Sequence, residues 1–223
     1  MKIAPRHMKE ITNILFDLDG VLINSMPVHA RAWKKTFSAL GIVLEDIDIY
    51  RREGMSGPAS IRDIFLEKKM PLPDEESLIG IIESKHTFFQ KNEIRLFAEI
   101  DDIINILKSR KIRMGLVTGS HRATVDETVP PGIIQSMSVI VTSDDVLHGK
   151  PHPESYIKAL KKIGAKVDST LVIENAPMGI RAAKNAGLLC YAVETTLPKE
   201  YLSEADVIFS DHRALQRHFL MYL

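Results

Sequence analysis

Two carboxylates near the start of the chain stand at a spacing that suits metal-assisted nucleophilic chemistry. Asp17 and Asp19 follow the apolar run 14–16 and precede Gly20. Because side chains alternate along a strand, residues two positions apart project to the same side. Two carboxylates so close repel each other, and they stay ionised together only with a cation between them. The stretch 12–25 therefore predicts a metal-binding nucleophile site at the end of a buried strand.

Polar residues follow three later apolar runs in the same way. They are Thr118, Gly119 and Ser120 after 112–117, Lys150 after 139–142, and Glu174 and Asn175 after 171–173. In an open parallel sheet, ligands lie outside the carboxyl ends of the strands, so we expect these residues to meet Asp17 and Asp19. Each motif alone has a simpler interpretation, because hydroxyls and acidic pairs cap helices and a loop lysine is usually solvated. The convergence of four strand ends favours a functional site.

The two aspartates have separate predicted roles. Asp17 is the candidate nucleophile, since a carboxylate attacks phosphorus well when a cation screens its repulsion from the phosphoryl oxygens. Asp19 is the candidate general acid, which protonates the leaving oxygen, and then the base that activates water. Gly20 permits the tight turn behind them. The alternative is a helix cap or an Asx turn, but it is a poor fit to the glycine and valine that follow.

The later motifs supply the remaining groups that such chemistry needs. Thr118 and the backbone of the two residues after it can donate hydrogen bonds to a phosphoryl group. Lys150, held by prolines at 151 and 153, can bind the phosphoryl oxygens and the nucleophile together. Glu174 and Asn175 offer oxygen ligands of the kind that Mg²⁺ prefers. A single positioned donor lowers the activation barrier by only about 3–4 kcal/mol, so these groups would have to act together.

Short apolar strands alternate with helical patterns along most of the chain. This alternation predicts an α/β fold with a doubly wound parallel sheet that is covered on both faces. From about 44 to 92, apolar residues recur near every 3.6 positions without a strand, which indicates an inserted all-helical domain. The prolines at 130 and 131 are expected to end a helix over 121–129. The predicted strands are 11–16, 112–117, 139–142, 171–173, 189–193 and 207–209.

Composition limits the classes of function. The 223 residues carry 29 acidic and 29 basic side chains, a balance that argues against a large nucleic-acid surface. No apolar stretch approaches the roughly 20 residues of a membrane helix, and the segment 1–10 lacks the apolar core of a signal peptide. The single cysteine, Cys190, lies in an apolar run and is predicted to be a small core residue. We expect a cytoplasmic monomer without nucleic-acid or membrane partners.

The ordered set of motifs resembles the haloacid dehalogenase superfamily of phosphotransferases, over roughly residues 11–214. The helical insert is similar to the C1 cap of that superfamily, with a core formed by 1–24 and 96–223 and a cap formed by 25–95. The resemblance implies a phosphoaspartyl intermediate on Asp17 and acid–base work by Asp19. It also implies Mg²⁺ held by Asp17, the Asp19 carbonyl, and the pair Glu174 and Asn175.

Within the superfamily the chain resembles the beta-phosphoglucomutase-like branch, through the helix at 29–33 and the run 173–187. Two positions differ from the branch. Asn175 stands where an aspartate is frequent, which removes a negative charge from the metal site. Gly57 stands where the mutase has an arginine that holds a second phosphate.

Hydrolytic members of the branch, among them an inorganic-pyrophosphatase type, are more similar to this sequence. That similarity implies that three residues of the cap face the site. Lys85 would neutralise a leaving phosphate, Glu53 would add a metal contact, and His29 would bond the leaving group or Asp19. The alternatives are a solvated Lys85 and Glu53, and a His29 that only packs beside Trp33.

These observations lead to one preferred function and two alternatives. The preferred function is a Mg²⁺-dependent hydrolase of a small phosphorylated metabolite, either a sugar phosphate or inorganic pyrophosphate. The first alternative is a beta-phosphoglucomutase, against which Gly57 argues. The second is a binding module that has kept the fold without catalysis.

Overall fold

A parallel six-stranded sheet forms the centre of the protein, as described by a computed structural model of residues 10–223. Residues 1–9 lie outside the described residues. They belong to the predicted core segment 1–24 and to the stretch predicted to lack a signal peptide. The strand order is β3-β2-β1-β4-β5-β6. The strands are β1 (Asn13–Phe16), β2 (Arg113–Val117), β3 (Met137–Val141), β4 (Thr170–Glu174), β5 (Leu189–Val193) and β6 (Val207–Phe209). The predicted doubly wound parallel sheet is confirmed.

Ten helices accompany the sheet within residues 10–223. Four of them follow β1 directly: α1 (Met26–Ser38), α2 (Asp46–Tyr50), α3 (Gly57–Glu67) and α4 (Glu75–Phe88). The others alternate with the later strands: α5 (Ile100–Ser109), α6 (Arg122–Thr128), α7 (Pro131–Ile134), α8 (Glu154–Ile163), α9 (Pro177–Asn185) and α10 (His212–Tyr222). None of the helices in the described part of the chain is both long enough and apolar enough to cross a membrane.

The central strand is apolar throughout because both faces of the sheet are covered. Ile14 and Phe16 point into one hydrophobic cluster, and Leu15 points into the cluster on the opposite face. All three side chains are fully buried, which explains the continuous apolar run in place of an alternating one. Cys190 is also fully buried in the second cluster, so the prediction of a core cysteine is confirmed.

The segment from α1 to α4 has a hydrophobic core of its own. Phe37, Ile61, Ile64 and Leu78 are buried together in a cluster separate from the two that cover the sheet. Helix α1 packs mainly against α2 and α4, so it belongs with the inserted helices. The insertion of an all-helical unit is confirmed, whereas the exact boundaries at 24/25 and 95/96 stay predictions.

The bounds of several predicted strands differ from the structure by one or two residues, as in the strand predicted at 139–142, which is Met137–Val141. Strand β1 begins at Asn13, not at residue 11, because its partners in the ladder begin at Arg113 and Thr170. The prolines that end α6 also start α7, since Pro131 occupies the first turn of that short helix. Proline lacks an amide hydrogen and has a helical φ, so it suits a first turn as well as it blocks a helix interior.

Candidate active site

The parallel register brings the predicted motifs to one edge of the sheet. Phe16 lies opposite Leu116 in β2 and Ile173 in β4, and the Asp17 amide donates to the Ile173 carbonyl at 3.0 Å. Asp17 therefore sits beside Glu174, the last residue of β4. The expectation that the strand ends converge is confirmed.

Lys150 joins the nucleophile candidate to the acidic pair. Its Nζ donates to Asp17 Oδ1 at 2.6 Å, to Glu174 Oε1 at 2.7 Å and to the Val117 carbonyl at 3.2 Å. The Lys150 side chain is only 2% exposed, so it is not a solvated loop lysine. A buried ammonium with two carboxylate partners fixes the position of both carboxylates.

Two residues that sequence reasoning missed hold Glu174 in place. Tyr156 on α8 donates its hydroxyl to Glu174 Oε1 at 2.6 Å. On α9, Gly179 leaves the space for the carboxylate, because a Cβ there would lie 1.9 Å from Glu174 Oε1. In the sequence, Tyr156 looks like an ordinary apolar position of a helix and Gly179 like a weak helix former.

Substituting Gly179 with Ala is expected to displace Glu174 and to lower the free energy of unfolding by about 1–3 kcal/mol. The matched control is Gly80→Ala on α4, where a Cβ would meet nothing within 4 Å. That control is expected to be neutral or stabilising by up to about 1 kcal/mol, as alanine favours the helix. Urea unfolding of both variants measures the difference, and equal effects would show that Glu174 has room to move.

Asp19 accepts hydrogen bonds from three sides. Ser25 Oγ donates at 2.5 Å and Ser120 Oγ at 3.0 Å, while His29 Nε2 lies 3.5 Å away. Burial raises the pKa of Asp19, but the contacts with His29, Ser25 and Ser120 outweigh it and lower the pKa to about 2. Asp19 is thus an ionised acceptor. Ser25 is a further residue to which the sequence assigned no role.

The electrostatics of the site fit a divalent cation. Burial, with Glu174 and Asp19 nearby, raises the pKa of Asp17 to about 8 in spite of Lys150. The Asn175 side-chain oxygen is buried and has no hydrogen-bond partner among residues 10–223. A cation next to these oxygens would keep Asp17 ionised and would satisfy the Asn175 oxygen. The donor set, carboxylates and an amide oxygen, is the one that suits Mg²⁺.

Glu53 reaches from the helical insert to the strand ends. Both of its carboxylate oxygens accept from Asn175 Nδ2 at 2.9 Å, and Thr196 Oγ1 lies 3.4 Å from Oε2. Burial, together with Asp17, raises the pKa of Glu53 well above its usual range. Gly20 makes this contact possible, since its φ is +82° and a Cβ there would lie 2.0 Å from Asn175 Nδ2. The solvated alternative for Glu53 is wrong.

Lys85 and His29 also face inward from the insert. Lys85 is 8% exposed, and its Nζ lies 4.1 Å from the centroid of the Phe89 ring and 5.7 Å from that of Trp33. Burial lowers its pKa to about 8. The part of the chain that the structure describes offers Lys85 no ion pair. The His29 ring packs on Phe89, with centroids 4.5 Å apart, and it also reaches Asp19.

A cavity of about 210 Å³ lies between the strand ends and the helical insert. Of the predicted site residues, those that line it are Asp17, Asp19, His29, Glu53, Lys85, Gly119 and Ser120. Thr118 and Lys150 border a second cavity of about 100 Å³ behind it. Gly20, Glu174 and Asn175 are buried and line neither of these two cavities, so a direct contact of Gly20 with a substrate stays a prediction.

The insert is closed over the strand ends. A Cβ on Gly119 would lie 3.0 Å from the Gly54 carbonyl oxygen, and one on Gly54 would lie 3.1 Å from Lys150 Cδ. Such a close approach places the insert directly over the strand ends and restricts the access of bulk water to the reacting groups.

Comparisons with known proteins agree with this geometry. A family model described as haloacid dehalogenase-like hydrolase matches residues 14–193. The chain is 30% identical to the validoxylamine A 7'-phosphate phosphatase of Streptomyces hygroscopicus subsp. limoneus, over 88% of this chain and 92% of that protein. It is 31% identical to the pyrophosphatase PpaX of Bacillus cereus (strain AH820), over 88% and 89%.

A solved structure shares the complete architecture. It is a protein from Bacteroides vulgatus, provisionally called a beta-phosphoglucomutase, with a TM-score of 0.84, 29% identity and coverage of 98% of both chains. The likeness extends over the sheet and the helical insert together.

Proposed function

Because this chain belongs to the haloacid dehalogenase-like hydrolase family, we propose that it is a Mg²⁺-dependent phosphohydrolase of a small phosphorylated metabolite. The reaction passes through a phosphoaspartyl intermediate. The observation that carries the proposal is the position of Asp17, which Lys150 holds at 2.6 Å at the end of the central strand, on the wall of the cavity between the strand ends and the helical insert. Two relatives named as phosphatases support the same reaction class.

Asp17 and Asp19 divide the chemistry. Asp17 attacks the phosphorus atom, the bond from phosphorus to the leaving oxygen breaks, and Asp19 gives that oxygen a proton. The negative charge of an arriving phosphate raises the pKa of Asp19, so that Asp19 takes up a proton from the solvent as the substrate binds. After Asp19 has given this proton to the leaving oxygen, water attacks the phosphorus, Asp19 takes the proton of the water, and the bond from phosphorus to Asp17 breaks. When the phosphate leaves, Asp19 releases its proton to the solvent, and both side chains are carboxylates again.

The other site residues bind and orient. Thr118 and the backbone amide of Gly119 donate to the phosphoryl oxygens, whose charge changes during the transfer. The Ser120 amide donates to Thr118 Oγ1 at 3.0 Å, which orients this hydroxyl. Lys150 keeps Asp17 in line and adds a positive charge. These donors are fixed before the substrate arrives, so little reorganisation is needed in the transition state.

Four groups would hold Mg²⁺: Asp17, the Asp19 carbonyl, Glu174 and Asn175, with Glu53 as a further candidate. When bound, Mg²⁺ would offset the repulsion between the nucleophilic carboxylate and the phosphoryl oxygens. The unpartnered Asn175 oxygen and the buried carboxylates around it support this assignment.

Lys85 supports a substrate with charge beyond the transferred phosphoryl group. A buried ammonium without an ion pair is costly unless a ligand supplies the counter-charge. The second phosphoryl group of pyrophosphate, or a charged group on a sugar phosphate, would supply it in the cavity. His29 contacts both parts of the site. Its Nε2 lies 3.5 Å from Asp19, and its ring packs at a tilt against the same Phe89 ring that Lys85 contacts.

Lys85→Met is expected to raise KM by at least about tenfold, with a smaller effect on kcat, and to stabilise the free protein by about 1–3 kcal/mol. Burial lowers the pKa of Lys85 from 10.5 to about 8, so below pH 8 folding leaves an unfavourable buried charge. Between pH 8 and 10.5 the folded state binds fewer protons than the unfolded state, and wild-type stability rises with pH relative to the variant. Lys34→Met, at an exposed ion pair with Asp46, is the control. Unchanged KM with unchanged stability would remove Lys85 from substrate binding.

The mutase alternative has one argument for it and two against it. The Bacteroides vulgatus structure carries a mutase name. However, Gly57 has no side chain to hold a second phosphate, and Arg52 is already bonded to Asp63 and Glu67. Incubation with β-glucose 1-phosphate and a trace of the bisphosphate decides between the hydrolase and the mutase. Free phosphate supports the hydrolase, and glucose 6-phosphate without free phosphate supports the mutase.

The proposal is tested by phosphate release from a panel of sugar phosphates, other phosphorylated metabolites and pyrophosphate, with and without Mg²⁺. Mg²⁺-dependent release from at least one of them supports it. A chain that binds these compounds but releases phosphate from none of them would instead be a binding module. We further propose a cytoplasmic monomer without nucleic-acid or membrane partners, on the basis of its balanced charge, and size-exclusion chromatography tests the monomer.

A further inference from the structure

We propose that His148, His152 and Glu154 form a surface site for a divalent transition metal of the zinc class. These residues lie in the segment between β3 and α8, on both sides of Lys150. One ring nitrogen of each histidine and one carboxylate oxygen of Glu154 lie within 4.8 Å of one another. Two imidazoles and a carboxylate are a ligand set that suits Zn²⁺, with a fourth position open to water.

The distances are close to those of a tetrahedral site. With metal–ligand bonds of about 2.0–2.1 Å, neighbouring ligand atoms stand roughly 3.4 Å apart. Glu154 Oε2 is 3.1 Å from His148 Nδ1 and 3.9 Å from His152 Nδ1. The two rings lie against each other with centroids 4.7 Å apart. Small side-chain rotations at the surface would bring all three ligands to bonding distance.

The backbone already holds the carboxylate in place. Glu154 Oε1 accepts from the Leu147 amide at 2.9 Å, and Oε2 accepts from the His148 amide at 2.9 Å. The Glu154 amide donates to His152 Nδ1 at 3.3 Å, and this nitrogen exchanges that hydrogen bond for the metal when it binds. The two backbone amides hold the carboxylate at one end of the segment. Such order before binding reduces the entropy lost when a metal binds.

The ligand types separate this site from the active site. Mg²⁺ is a hard cation that takes oxygen ligands, whereas imidazole selects zinc, copper and nickel. The histidine side chains are 65% and 51% exposed, so a metal ion in solution can reach them. Since they stand two residues before and two residues after Lys150, a bound metal would tie together the segment that carries this lysine. The inference does not depend on the proposed phosphatase reaction.

The proposal is tested by measuring Zn²⁺ binding to the full chain with isothermal titration calorimetry. Mg²⁺ is present in excess, so that the oxygen-lined active site stays occupied. The expected result is one tightly bound Zn²⁺ per chain, which also raises the unfolding temperature. The double substitution His148→Ala and His152→Ala is expected to weaken binding by at least about 100-fold. The matched control is His121→Ala, another exposed histidine next to a carboxylate, 2.6 Å from Asp144. It is expected to bind Zn²⁺ like the wild type.

Two results would overturn the proposal. One is equal Zn²⁺ affinity and stoichiometry in the wild type and the double variant, which would mean adventitious binding only. The other is an equal loss of binding in the His121→Ala control. Unfolding curves of all three proteins without metal show whether each is folded, so that a loss of binding is not caused by unfolding.

Discussion

Asp17→Asn is expected to reduce Mg²⁺-dependent phosphate release by at least about 10⁴-fold, which corresponds to a barrier increase of about 5.4 kcal/mol. The amide cannot form the acyl phosphate, and it removes a negative charge from the proposed Mg²⁺ site. The fold is expected to be kept, with a change of less than about 1.5 kcal/mol in the free energy of unfolding.

The control for this substitution is Asp126→Asn, at an exposed aspartate that pairs with Arg122 on α6. Its phosphate release is expected to equal that of the wild type, since exposed ion pairs contribute little. The comparison uses steady-state phosphate release with the substrate found in the panel. Activity of Asp17→Asn within tenfold of the wild type would exclude Asp17 as the nucleophile.

Lys150→Met is expected to have the largest effect on stability, a loss of about 3–5 kcal/mol in the free energy of unfolding. Lys150 is the ammonium that bridges Asp17 and Glu174 in a fully enclosed position. Without it, the two buried carboxyl groups lose their counter-charge, so they must either bind protons on folding or face each other as anions. Among residues 10–223, the Tyr156 hydroxyl is the donor that remains on Glu174 Oε1. Phosphate release is expected to fall by at least about 10³-fold, because an oriented donor and the alignment of the nucleophile are both lost.

Urea unfolding in the absence of Mg²⁺ measures this effect. Lys162→Met is the matched control, because Lys162 forms an exposed ion pair with Asp145 at 2.7 Å and should cost less than about 1 kcal/mol. Adding Asp17→Asn to Lys150→Met is expected to recover part of the lost stability, since the amide is neutral without having to bind a proton on folding. A double variant that is as unstable as the sum of the single variants would contradict the proposed charge balance.

The sequence predicts the reacting groups because they obey two local rules. Asp17, Thr118 and Glu174 each stand at or directly after the end of an apolar strand, and parallel strands bring such ends to one edge. The apolar strands themselves are recognisable because a sheet covered on both faces needs continuous runs. The period near 3.6 over residues 44–92 likewise identifies the helical insert without any knowledge of its packing.

The supports of the site are not predictable in this way, because they depend on tertiary distances. Nothing in the sequence pairs Tyr156 with Glu174 or shows that Gly179 must lack a side chain to make room for it. The contact between Glu53 and Asn175 is a similar case. It joins two residues 122 positions apart, and it gives a physical role to the asparagine that the sequence showed only as a missing charge, since its amide donates to Glu53.

The same limit applies to the substrate. The identity of the reaction depends on a few groups at strand ends, whereas the substrate depends on how the insert closes and on which side chains it leaves unpartnered. Lys85 shows the difference. The resemblance implies that it faces the site, while a solvated lysine stays the alternative in the sequence alone. The structure shows a buried ammonium against Phe89 that forms no ion pair within residues 10–223.

Trapping the covalent intermediate tests the central claim most directly. Asp19→Asn removes the base that activates water, but a substrate with a good leaving group, such as p-nitrophenyl phosphate, does not need the acid. Acid quenching of this variant with Mg²⁺, followed by mass spectrometry of its peptides, should therefore show a phosphoryl group on Asp17, absent when Asp17→Asn is added. A phosphoryl group on another residue, or released nitrophenol in the first turnover without any phosphorylated peptide, would contradict the mechanism.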